Sequence, residues 1–133
     1  MYKILIVDDS REIRNLIRLT LPFSEFRLEE AENGADAMRL IRAWRPDLVL
    51  LDIVMPGGIN GLQVCREIKL DPYLQRTIVV MLTVLGQSYD IEAGRAAGAD
   101  SYIVKPFSPT LLVAQIRQIL KSRMHDEPDI LPQ

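Results

Sequence analysis

The sequence predicts a doubly wound α/β domain in which five parallel strands alternate with five helices. Two observations carry that expectation. Short, almost wholly apolar runs such as Ile4–Val7, Leu48–Leu51 and Ile78–Leu82 have the make-up of strands covered on both faces. Between them lie longer segments whose apolar residues recur at spacings of three and four, the period of an amphipathic helix. Connections are short, and no internal repeat or low-complexity stretch interrupts the alternation.

Each element has its own signal. The first strand is Ile4–Val7. Ile13, Leu16, Ile17 and Leu21 stripe a helix from about Ser10 to Leu21, and Pro22 ends it by excluding helical backbone at the residue before it. Arg27–Ala31 is a weak second strand, followed by the turn signal Asn33-Gly34. Ala37, Leu40, Ile41 and Trp44 mark the second helix, and Pro46 its limit. After the third strand, Leu48–Leu51, a Gly-rich segment from Pro56 to Gly61 leads into a helix that turns Leu62, Cys65 and Ile68 inward and breaks at Asp71-Pro72. Ile78–Leu82 is the fourth and most apolar strand. The fourth helix, about Ser88 to Ala97, is poorly patterned and contains Gly94, so it is expected to be the least stable. Gly98 is its natural stop. Ser101–Val104 forms the fifth strand. Ser108 then reads as an N-cap before Pro109 at the first helical position, and the last helix buries Leu112, Ile116, Ile119 and Leu120. The expected domain is residues 1–123. Residues 124–133 are polar, hold two prolines and lack a period, as in a flexible tail or the start of a linker.

A chain of 133 residues, 48% hydrophobic and 26% charged, is sized for one domain that buries a core without staples. A net charge of −2 and a pI near 5.4 argue against nucleic-acid binding by this chain alone. The single Cys65 has no internal disulfide partner, which suits a reducing compartment. No signal peptide is visible, because the run at Ile4 is short and leads straight into acidic residues. No apolar run approaches the ~20 residues of a membrane helix. The expected location is cytoplasmic.

Four of the apolar runs end in polar residues: the pair Asp8-Asp9, then Asp52, Thr83 and Lys105. The carboxyl ends of parallel strands share one edge, so three carboxylates, a hydroxyl and an ammonium are expected to converge in one crevice. Crowded carboxylates raise one another's pKa unless cations compensate. A divalent metal ion and the lysine would supply that compensation, and together they suit a site that handles phosphate. An aspartate at a strand end also serves as an N-cap, and Asp9 or Ser10 can fill that role; Ser10 can cap while Asp9 ligates. No helix starts soon after Asp52, so capping does not explain it.

With these residues in place the chain resembles a response-regulator receiver domain of two-component signalling, over about residues 1–123. The carriers are Asp8-Asp9-Ser10 after the first run, Leu50-Leu51-Asp52-Ile53-Val54-Met55-Pro56, Thr83, Ala97-Gly98-Ala99-Asp100, and Tyr102-Ile103-Val104-Lys105-Pro106-Phe107. The resemblance implies a flavodoxin-like sheet of order 2-1-3-4-5. It implies that Asp52 is the phosphoacceptor, a carboxylate that attacks a phosphoryl group and holds it as an acyl phosphate. Asp8, Asp9, Asp52 and the backbone carbonyl of Val54 are the implied ligands of Mg²⁺ or Mn²⁺, oxygen donors fitted to a small hard cation. Lys105 would neutralise a phosphoryl oxygen, and Thr83 would donate its hydroxyl to the attached group. Tyr102 is the implied switch aromatic, turning inward as Thr83 moves, although strand alternation alone also allows a half-buried tyrosine with no signalling role. The Lys105–Pro106 bond is implied to be cis. The implied donor is a histidine kinase or a histidine-containing phosphotransfer protein. A downstream protein would read the face formed by the fourth helix, fifth strand and fifth helix, and a homodimer through that face is one assembly it allows. Such a domain promotes only its own phosphorylation and dephosphorylation and is not expected to be an enzyme.

The sequence departs from the family in three places. Gly61 lies nine positions after Asp52, one more than is common, and the extra residue falls in the Pro56–Asn60 loop, which is expected to be reshaped and mobile. Val84 stands where a small residue is usual and would narrow access to Asp52. Val54 and Leu85 occupy positions that commonly orient or admit the hydrolytic water, and neither apolar side chain can hold it by hydrogen bonding. A long-lived phosphoryl group and slow reaction with small donors are the expectation. Two other readings compete. A phosphatase of the haloacid-dehalogenase type needs an acid where Val54 stands. A pseudo-receiver that only binds partners would not need the complete set Asp8, Asp9, Asp52, Thr83 and Lys105.

Overall fold

The computed structural model describes residues 1–84 and 88–126, with backbone only at 88–90 and 124–126. Strands β1 (Tyr2–Val7), β2 (Phe26–Ala31), β3 (Leu48–Asp52), β4 (Ile78–Val84) and β5 (Ser101–Lys105) alternate with helices α1 (Arg11–Thr20), α2 (Gly34–Trp44), α3 (Gly61–Leu70), α4 (Ser88–Ala96) and α5 (Pro109–Asp126). The sheet is parallel throughout, in the order β2-β1-β3-β4-β5. Parallel pairs need a crossover, and α1 to α4 supply one each, while α5 follows the last strand.

Two apolar layers cover the sheet, and strand alternation decides which residue enters which. Leu5, Val7, Val49, Leu51, Val79 and Met81 pack with Ala37, Met38 and Ile41 of α2 and Val64, Cys65 and Ile68 of α3. Ile4, Ile6, Leu48, Leu50, Val80, Leu82 and Ile103 pack with Ile17 of α1 and Leu112, Ile116 and Leu120 of α5. The doubly wound expectation holds, with α1 and α5 on one face and α2 and α3 on the other.

The helix signals act largely as expected. Ser10 caps α1, its hydroxyl accepting from the Ile13 N–H at 3.3 Å, and Ser108 accepts from Leu111 N–H at 3.4 Å at the start of α5. Gly98 follows α4 at φ +98°, a left-handed conformation that closes the helix, and the Ala99 N–H returns to the Gly94 carbonyl. Asn33 is a cap rather than a turn residue: its side chain accepts from Asp36 N–H at 2.8 Å. At α3, Asn60 and Gln63 form a reciprocal capping box that the glycines around them disguised.

Some packing differs from expectation. Leu16 is 40% exposed, whereas Arg14, a charged member of the same helix, is buried with Ile17. Leu62 and Ile119 are only partly buried, whereas Val64 is fully inside. The sheet reaches further than the apolar runs suggested, so Asp52 and Lys105 close their strands and Thr83 lies one residue inside the end of β4, and none of them is the first residue of a loop. Helix α5 continues to Asp126, three residues beyond the expected domain limit, because no breaker intervenes before Pro128. Residues 127–133 of the expected tail lie outside the described residues.

Candidate functional site

Register places the site. Val7 pairs with Leu51 and Asp52 pairs with Leu82, so Asp8, the next residue after Val7, comes level with Asp52 on adjacent strands. Thr83 lies one row further out, level with Val104, and Val84 pairs with Lys105. Asp8, Asp52 and Lys105 share the sheet parity of the α1/α5 face, while Thr83 and Tyr102 share that of the α2/α3 face.

The acids converge as the sequence implied. Carboxylate oxygens of Asp8, Asp9 and Asp52 all lie within 4.8 Å of one another. Asp8 and Asp52 are buried and Asp9 is exposed. The Lys105 ammonium bridges the two buried carboxylates, 2.9 Å from Asp8 Oδ2 and 3.3 Å from Asp52 Oδ1. Burial and the negative charge of Asp8 push the Asp52 carboxyl up to about 6, against the pull of Lys105. Burial works against the Lys105 ammonium, yet its bonds to Asp8 and the charges of Asp52 and Asp8 outweigh this and raise its pKa. The chain's own cation therefore leaves the acid cluster under-compensated. Hard carboxylate oxygens with spare acceptor capacity are the donor set that a divalent cation such as Mg²⁺ takes.

Asp8 is fixed from several sides. Its backbone N–H donates to Ala31 C=O, its Oδ1 accepts from Ser10 N–H at 2.9 Å, and its own carbonyl accepts from Arg14 Nη1 at 2.6 Å. Gly61 holds the Asp52 end: its N–H donates to Ile53 C=O at 2.8 Å, and a Cβ there would stand 2.1 Å from the Asp52 carbonyl oxygen. Gly34 also lies close to Ile59, where a Cβ would meet the Ile59 carbonyl at 2.7 Å, so the lengthened β3–α3 loop rests on the start of α2. Gly61, Gly34 and Arg14 were not foreseen as site residues. For Arg14 the readable signal was a charged side chain within an otherwise apolar helical stripe.

Thr83 is buried, and its Oγ1 has no hydrogen-bond partner; the Tyr102 hydroxyl is likewise enclosed and unpartnered. Burial raises the Tyr102 phenol above its ordinary value. Tyr102 packs against the α2/α3-side core beside Gly94, where a Cβ would come within 3.0 Å of its Cε1. Val54 is exposed two residues past Asp52, Val84 is half-exposed at the end of β4, and Leu85 lies outside the described residues. The Lys105–Pro106 bond is cis.

An acid cluster bridged by a lysine, at the carboxyl edge of a 2-1-3-4-5 sheet, defines a class of signalling domain. The chain belongs to the response regulator receiver domain family, whose model matches residues 4–117. It is 41% identical over 119 residues to the transcriptional regulatory protein ResD of Bacillus subtilis, an alignment spanning 90% of this chain and 48% of that protein. Among solved structures, it is similar to the signal receiver domain of a signal transduction histidine kinase from Syntrophus aciditrophicus, with TM-score 0.85, 30% identity and coverage of 99% and 98% of the two chains. The chemotaxis response regulator CheY4 of Vibrio cholerae superposes with TM-score 0.82 at 29% identity over 90% of this chain and 98% of its own. The chain spans about half the length of the curated relatives it matches. No helix among the described residues is long and apolar enough to cross a membrane.

Proposed function

We propose that this receiver domain is a phosphorylation switch that accepts a phosphoryl group on Asp52 from a histidine kinase or a histidine phosphotransfer protein, in the cytoplasm. The observation that carries the reading is the gathering of Asp8, Asp9 and Asp52 within 4.8 Å, with Lys105 bridging two of them. Asp8, Asp9, Asp52 and the Val54 carbonyl would hold Mg²⁺ or Mn²⁺. Bound there, the cation supplies positive charge to the phosphoryl oxygens as charge develops on them. One Asp52 oxygen attacks phosphorus in line with the departing imidazole nitrogen of the donor histidine, which leaves with the P–N bonding pair. Lys105 then exchanges its carboxylate contacts for a phosphoryl oxygen.

Thr83 Oγ1, buried and unpartnered, gains an acceptor when the phosphoryl group arrives. Its shift toward the group vacates space on the face it shares with Tyr102, and the surface formed by α4, β5 and α5 repacks to present a docking site for a downstream protein. Half-exposed Val84 narrows the approach to Asp52, and the apolar Val54 offers no side-chain hydrogen bond to an attacking water. Slow reaction with small donors and a persistent acyl phosphate are the consequence. The chain carries out this chemistry on itself and turns over no separate substrate.

The test is intact mass after incubation with acetyl phosphate and Mg²⁺, beside Asp52→Asn and an EDTA-treated control. A phosphoryl adduct on the wild type alone is expected. An adduct of equal size on Asp52→Asn removes Asp52 as the acceptor, and failure to bind beryllofluoride as well as acetyl phosphate makes the domain a partner-binding module without phosphorylation.

A further inference from the structure

We propose that Arg14 is a positioning residue for the acid pair: its guanidinium sets the peptide plane between Asp8 and Asp9 and so aims Asp9 at the metal position. The inference rests on the metal role proposed above for Asp8, Asp9 and Asp52. Asp8 is restrained at its N–H, its side chain and its carbonyl, whereas Asp9 is exposed and receives no hydrogen bond among the described residues. The two share one peptide unit, which is planar, so fixing the Asp8 carbonyl oxygen fixes the direction in which the chain enters Asp9. Arg14 Nη1 makes that bond at 2.6 Å.

The guanidinium is itself aimed from behind. Its Nε donates to Glu30 Oε1 at 2.9 Å, and Glu30 Oε2 accepts from Arg18 Nε at 2.5 Å. The side chains of Arg14 and Glu30 are 11% and 25% exposed, so the fork reaches from α1 across β2 to the end of β1 with little access for water. Only a planar group with several fixed donors can serve Glu30 and the Asp8 carbonyl together; an ammonium must choose or compromise. An arginine placed only to satisfy a core ion pair needs Glu30 and has no use for the Asp8 carbonyl.

Replacing a buried ion pair by uncharged groups of similar volume is often tolerated in stability, which separates positioning from mere support. The experiment titrates Mn²⁺ into the whole protein by electron paramagnetic resonance, alongside melting temperature, for wild type, Arg14→Lys, Arg14→Met/Glu30→Gln and, as a control outside this network, Arg117→Met, which removes an exposed pair with Glu25. Outer contacts to a ligand set typically change metal affinity by 10–100-fold, so the expected loss is about tenfold in Arg14→Met/Glu30→Gln, about threefold in Arg14→Lys, and none in Arg117→Met. Should the double variant fail to fold, Arg14→Lys carries the comparison. Wild-type Mn²⁺ affinity in a folded Arg14 variant overturns this inference alone. Absence of Mn²⁺ binding by the wild type overturns the proposed metal site and this inference with it.

Discussion

Tyr102 stands diagonally across from Thr83 on one face of the sheet, because it is registered with Met81, two residues before Thr83 on β4. The two hydroxyls are the buried side-chain polar atoms without a partner among the described residues. Neighbouring positions on adjacent strands thus both hold unmet hydrogen-bonding capacity beside the acid cluster.

Thr83→Val removes one of these unmet groups while keeping the shape. The metal-free protein is expected to gain up to about 1 kcal/mol, since an unsatisfied buried hydroxyl is disfavoured. The gain in melting temperature on adding beryllofluoride and Mg²⁺ is expected to shrink. Thermal melts with and without beryllofluoride check both, and an undiminished gain would remove Thr83 from the response.

Asp52 fixes a pH dependence. Its carboxyl titrates near 3.8 when unfolded and at about 6 in the folded, metal-free protein, so between those values the folded state holds the extra proton. Stability from this group is therefore full below about pH 4 and declines as pH rises toward 6. The loss approaches about 3 kcal/mol at one pKa unit per ~1.4 kcal/mol. In EDTA, Asp52→Asn is expected to be more stable than wild type at pH 7 and nearly equal to it at pH 4. Urea denaturation at both pH values measures the difference.

Lys105→Met leaves Asp8 and Asp52 facing each other without their bridging cation. A loss of about 2–3 kcal/mol at pH 7 is expected for the metal-free protein, since removing one member of a buried charge pair strands the other. Recovery on lowering the pH to 5 identifies the carboxylates as the cause.

Gly94→Ala sets helix propensity against packing. Alanine adds up to about 1 kcal/mol of helical preference to α4. Its Cβ also comes within 3.0 Å of the Tyr102 ring, which must give way. The ring resonances of Tyr102 are expected to move toward solvent-exposed shifts, and unchanged shifts would show that the ring tolerates the contact.

The fold was legible because its inner strands β1, β3 and β4 are largely buried on both faces and read as apolar runs, and because a breaker or cap marks most helix ends. Strand limits were less legible. Asp52, Thr83 and Lys105 pair within the ladder, and nothing about a polar residue announces that its backbone still does so. The acids of the site could be found because a strand-end carboxylate without a helix to cap is conspicuous. Arg14 was obscured, since a helical stripe tolerates one polar member and only the fold reveals that a β1 carbonyl lies within its reach. Gly61 and Gly34 were read as loop flexibility, yet each marks a close approach of backbone that sequence spacing does not encode.

Strand β5 forms the outer border of the sheet and pairs on one side only. Tyr102 therefore sits where a side chain can change place without any second strand having to follow. On the proposed switch, the inner strands β1 and β3, whose ends hold the acids, would stay as a fixed anvil while the border strand moves. A message written at the centre of such a domain would then be published at its margin, and the pattern of amide protection in β1 and β3 should read the same before and after it is sent.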